Sequence, residues 1–174
     1  MKKNLLLSIA TMMVVNLAIA SEKEKPTCRD MSTAAFQGKI ESIIELFAAG
    51  VSVNCKENSF ESAPLHYAAA GRHAETVEVL LALGANSNQV NSLDASPLHY
   101  ISHSCHAATG KALFKTAEAL LKSGANHSLE ADYYNKPLDR IRNECPSAIV
   151  KEMEALFEKH THKKAGWFDF LHKS

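Results

Sequence analysis

Apolar positions fall along this chain in two patterns. Leu5 to Leu17 is a mostly apolar run, broken only by Ser8, Thr11 and Asn16. Further on, apolar residues recur at helical spacing, as in Val77, Leu80 and Leu81 or Met153, Leu156 and Phe157. That spacing lays an apolar stripe on one side of a helix. Pro64, Pro97 and Pro137 fit the first turn of a helix, where the missing N–H is no loss and φ is already suitable. Gly50, Gly84 and Gly124 follow the apolar segments, where a left-handed cap is needed. The pattern predicts an all-α chain of short helix pairs.

The pairs are copies of one unit. Ala63-Pro64-Leu65-His66-Tyr67 returns as Ser96-Pro97-Leu98-His99-Tyr100, 33 positions later. Leu80-Leu81-Ala82-Leu83-Gly84-Ala85-Asn86 returns as Leu120-Leu121-Lys122-Ser123-Gly124-Ala125-Asn126. Weaker copies run from Ala34-Ala35 to Gly50 and from Lys136-Pro137-Leu138-Asp139 to Leu156-Phe157. In these residues the chain resembles the ankyrin-repeat family, with its Thr-Pro-Leu-His opening and Gly-Ala-Asp ending. The resemblance implies a solenoid of about four helix-turn-helix repeats with short finger turns, at about 27–57, 58–90, 91–130 and 131–160. It implies that His66 and His99 are structural, holding neighbouring fingers in register. Asp30 stands where the first copy would have Pro, and Asp139 replaces His in the last; terminal repeats usually depart from consensus. The third copy is seven residues longer than the second, which places an insertion around Cys105 to Lys111. It is read either as a functional loop or as neutral drift.

The amino-terminal run has a separate meaning. Lys2 and Lys3 precede it and Ala18-Ile19-Ala20 follows, before Ser21. Together these give the three parts of a secretory signal peptide over residues 1–20, cut between Ala20 and Ser21. A bacterial-type cell would then place the repeat domain, residues 21–160, in the periplasm or outside. Without the leader, 17 basic residues face 19 acidic ones. A near-neutral balance argues against nucleic acid, and no later stretch is apolar enough to span a membrane. The expected molecule is a monomer.

All four cysteines, Cys28, Cys55, Cys105 and Cys145, follow the leader, and an even count in an oxidising compartment favours disulfides. Cys105 and Cys145 each lie eight residues after the Pro of their repeat. Regular neighbours there would stand about 10 Å apart, beyond the roughly 7 Å a disulfide spans, but the insertion lets the segment reach. Cys28 and Cys55 belong to the first two finger regions. The pairing expected is Cys28–Cys55 and Cys105–Cys145; the other two connectivities cross several repeats.

Other chemistry is sparse. His99, His103 and His106 cluster, and a helix would align His99 with His103, so a haem or metal carrier is conceivable. His99 is already committed by the repeat, however, and Cys105 by a disulfide. The expectation is therefore no cofactor and no metal. No Gly-x-Ser-x-Gly, His-Glu-x-x-His or phosphate loop occurs, so no catalytic residue is assigned. Glu41, Glu75 and Glu78 read as solvated helix surface.

Binding residues can be counted from each Pro. Four positions before stand Phe60, Leu93 and Tyr133, one apolar residue per finger, beside Ser59, Ser92, Asp132 and Tyr134. At the ends of the first helices, Ala70, His103 and Asn143 face the same concave groove. Such a row either forms an interface or packs finger on finger. The tail, 161–174, carries Trp167, Phe168 and Phe170 and either folds back as a cap or serves as an anchor. The resemblance implies a non-catalytic adaptor or chaperone-like protein that binds another protein, with a link to oxidative-stress defence. An immunity protein that neutralises a periplasm-acting toxin, a haem or metal carrier and a secreted effector are the alternatives.

Overall fold

The computed structural model describes residues 25–132 and 136–171, the last ten of these as helix backbone. The leader, with Ala20 and Ser21, lies outside the described residues. Among the described residues eight α-helices stand in four pairs: α1 (Cys28–Gln37) with α2 (Ile40–Ala48), α3 (Pro64–Gly71) with α4 (Ala74–Ala82), α5 (Pro97–Tyr100) with α6 (Gly110–Lys122), and α7 (Pro137–Glu144) with α8 (Ser147–Leu171). First helices pack on first helices (α1 on α3, α3 on α5, α5 on α7) and second on second (α4 on α6, α6 on α8). Among the described residues there is no named strand, only a bridge between Glu57 and Ser62. This is the helical solenoid the repeat predicts.

One core runs through the stack. Leu65, Leu80, Leu98, Ile101, Leu113, Leu120, Ile141 and Met153 are all fully buried. Removing such a side chain costs about 2–5 kcal/mol in transfer and cavity energy. Gly50, Gly84 and Gly124 take φ of 90°, 94° and 86° just past α2, α4 and α6. A Cβ at any of them would meet nothing within 4 Å, so backbone conformation alone requires glycine there.

The first helices share a cap. In each, the third helical side chain accepts the N–H of the residue before the helix. His66 Nδ1 accepts from Ala63 at 3.1 Å and His99 Nδ1 from Ser96 at 3.1 Å. Asp139 accepts from Lys136 at 3.2 Å and Asp30 from Thr27 at 2.8 Å. Asp30 therefore does the capping histidine's work and not the proline's, because α1 begins at Cys28.

Two further expectations are corrected. The added residues of the third repeat do not all lie in the interhelical loop. Lys111 is in the first turn of α6, which at 13 residues is longer than the nine of α4. The loop keeps only a short 3-10 turn, Ala107–Thr109. The helix that would align His99 with His103 stops at Tyr100, so the two are not stacked on one face. Over residues 161–171 the tail continues α8 as helix backbone. The side chains of Trp167, Phe168 and Phe170 lie outside those described.

Candidate functional site

Two successive fingers are turns, each built by one asparagine. Asn58 takes φ 62° and its Oδ1 accepts the Phe60 N–H at 2.7 Å. With Glu57 and Ser62 paired as a two-residue bridge, the turn leaves Phe60 outside, 49% exposed. Asn91 does the same in the next finger, accepting from Leu93 and Ala95 at 3.0 Å each. The fingers are then stitched. The Ser92 N–H donates to the Phe60 carbonyl at 2.8 Å, and Asp132 to that of Leu93 at 3.1 Å. Ser92 Oγ donates to the Ser59 carbonyl at 3.4 Å.

The first two members of the row read from the sequence differ at their side chains. Ser59 and Ser92 are exposed with Phe60, while Leu93 is half-buried. Tyr133 and Tyr134 lie outside the described residues. At the opposite ends of the first helices, His103 and Asn143 are exposed. Ala70 is not: it is 7% exposed, covered within the stack. The open position of that kind is Phe36, 34 residues before Ala70 and 48% exposed. The copy-to-copy count would have found it.

Between fingers and helix ends lies a row the sequence reading missed. Tyr67, Tyr100 and Arg140 each stand three residues after a repeat's Pro. Asn91 Nδ2 donates to the Tyr100 hydroxyl at 2.8 Å, and Asn58 Nδ2 to that of Tyr67. The Arg140 guanidinium sits 5.8 Å from the Tyr100 ring centre and donates to Glu144 at 2.8 Å. Burial, with Glu57 close by, pushes the Tyr67 hydroxyl up to about 12, so it stays a neutral phenol. Aromatic faces held by hydrogen bonds give contact area at little cost in side-chain entropy.

Beneath the row lies the structural histidine. His66 is fully buried, with Nε2 2.9 Å from the Ala95 carbonyl of the next finger and its ring edge-on to Tyr100 at 5.2 Å. Since Nδ1 accepts, Nε2 carries the proton and donates. Burial holds this imidazole down to about 4 and keeps it neutral. His99 is buried likewise, its Nδ1 also 2.9 Å from Ser96 Oγ.

Two disulfides close the ends of the stack, Cys28–Cys55 and Cys105–Cys145, the pairing expected from the sequence. Among the described residues no three His, Cys, Asp or Glu side chains gather as a metal site. His103 and His106 are exposed and apart from buried His99. No described helix is long and apolar enough to cross a membrane.

A family model described as ankyrin repeats, three copies, matches residues 31–131, more than half of the chain. The chain belongs to the ankyrin-repeat family, whose members are in general non-catalytic modules for protein–protein interaction. The fourth pair, α7 with α8, lies beyond that match. No curated protein matches the chain.

Proposed function

We propose that this chain is an exported, non-catalytic binding protein that holds a protein partner across its fingers and the ends of its first helices. The observation that carries the reading is Phe60. A hairpin turn keeps this ring outside while its own carbonyl is fixed to the next finger. A rigid, exposed aromatic on a stitched surface is an efficient anchor for association. Leu93 and Tyr133 would extend the row, Ser59, Ser92 and Tyr134 would border it, and His103 and Asn143 would close its far side.

Export is supported by the leader pattern over residues 1–20 and by two disulfides, which persist in oxidising compartments. The setting proposed is the periplasm of a bacterial cell, and the role an adaptor or chaperone-like one linked to oxidative-stress defence. The test is capture from periplasmic extract by residues 21–174, wild type against a variant with Phe60, Leu93 and Tyr133 all changed to Ser. Loss of a specific captured protein, with the helical signal intact, supports the face; equal capture by both proteins refutes it.

A further inference from the structure

The two bridges are set in different surroundings. Cys28 opens α1, where Thr27 and Asp30 close a capping box around it, and Arg29 pairs with Glu57 at 3.1 Å across the same junction. Cys105 lies in none of the named helices, between a turn ending at Ser104 (φ 53°) and the 3-10 turn at Ala107. Cys145 is the cap residue that ends α7. The first helix of the third repeat is only four residues long, so little regular structure holds this loop. A groove of about 760 Å³, lined by Phe114, Pro146 and Ile149 among others, opens next to Cys145 in the chain.

Ile101 and Ser102, both buried, anchor the start of the loop, and Cys105 packs against the core. What else fastens the exposed stretch from His103 onward is polar. Ser102 Oγ donates to Glu144 at 3.1 Å, and Arg72 donates to the His103 carbonyl. His103 and Asn143 each stand two residues before a bridged cysteine, whose Cα atoms are 5.1 Å apart. The bridge thus ties together the two segments that carry the far border.

We propose that Cys105–Cys145 is a reducible clasp that holds the inserted loop to the last repeat and opens without unfolding the rest of the stack. An external dithiol supplies the chemistry. Its thiolate attacks one of the two sulfurs, breaking the S–S bond and forming a mixed disulfide. Its second thiol then displaces the protein sulfur, leaving two cysteine thiols and an oxidised reductant, a transfer of two electrons and two protons. Loops held by few buried contacts open at low free energy, so the clasp yields before Cys28–Cys55 does. Once open, the segments that carry His103 and Asn143 are no longer tied to one another.

The experiment is stepwise reduction of the full chain with dithiothreitol, trapping thiols by alkylation for mass spectrometry and following amide exchange in parallel. The expected result is alkylation of Cys105 and Cys145 at a lower dithiothreitol concentration than Cys28 and Cys55. With it, exchange over 103–106 and 142–146 should rise at least tenfold while α1 to α4 stay unchanged. A Cys105→Ser, Cys145→Ser double variant should show the same local pattern without reductant. Earlier alkylation of Cys28 and Cys55, unchanged exchange after the clasp is open, or exchange rising along the whole stack would each overturn the proposal. These readouts use no partner, so they stand apart from the test of the binding face.

Discussion

The two inner repeats cap their first helix with an imidazole; the two outer ones do the same with a carboxylate. His66, His99, Asp30 and Asp139 all accept the N–H that would otherwise be orphaned at the helix start. Capping is therefore not what singles out histidine. His66 has a second arm, Nε2–H, which reaches the Ala95 carbonyl of the following finger. An aspartate has no such donor. The last repeat has no following finger among the described residues and needs none. The first repeat does have one, and there a disulfide from Cys28 to Cys55 and the Arg29–Glu57 pair make the junction. The comparison teaches that a helix cap and a link between repeats are separate tasks, which histidine combines.

The largest effect should come from removing the covalent substitute. A Cys28→Ser, Cys55→Ser variant should lose about 3 kcal/mol by the chain-entropy account for a loop of this size, read from denaturant midpoints. His66→Ala should follow, at about 2–3 kcal/mol, because two buried backbone groups lose their partner. If it costs no more than Asp139→Ala, the second arm is without value and the comparison fails.

His66 also predicts an acid dependence. Its folded value, about 4, is lower than the ordinary 6.5, so the unfolded chain takes up the proton first. The stability it contributes is present above 6.5 and is lost as pH falls toward 4, by about 2–3 kcal/mol. Unfolding curves at pH 7 and pH 4.5 should show that loss, and a His66→Gln variant should show much less of it.

A smaller effect concerns a second set of links. Asn54 Nδ2 donates to the Gly84 carbonyl at 2.9 Å and its Oδ1 accepts from Asn86 at 2.8 Å. Asn88 repeats this toward Gly124 and Asn126, at 3.1 and 2.6 Å. Changing either asparagine to Ala should cost about 1–2 kcal/mol in thermal unfolding. The smallest effect belongs to the outer cap: Asp139→His should change stability by less than about 0.5 kcal/mol, whereas Asp139→Ala should cost about 0.5–1. Asp30, held below the usual carboxylate range by the Thr27 N–H, should keep its cap until pH falls through that lowered value.

What the sequence made legible is what repeats in apolar spacing and in Pro and Gly positions. The helix pairs, the capping glycines and both cysteine pairs follow from that. Asn54 and Asn88 did not show because a polar side chain joining two repeats adds nothing to an apolar stripe. The signal was available, since each stands four residues after its capping Gly and Ser128 holds that place in the third copy. Asp30 was misassigned because alignment to Pro64 compares positions, while the cap is counted from where the helix begins. The binding row was legible as spacing only: Leu93 and Ala70 occupy the counted places, but neighbouring finger and helix cover them in part or whole.

The arms of Asn54, His66, Ser87 and Asn88 share a direction: each reaches a backbone group later in the chain. A repeat emerging from a ribosome or a membrane channel, amino end first, therefore meets only empty space where its partners will be. It can latch only after its successor has arrived, so closure trails emergence by one repeat. Assembly of this stack resembles a zip drawn from one end, with each tooth waiting for the next.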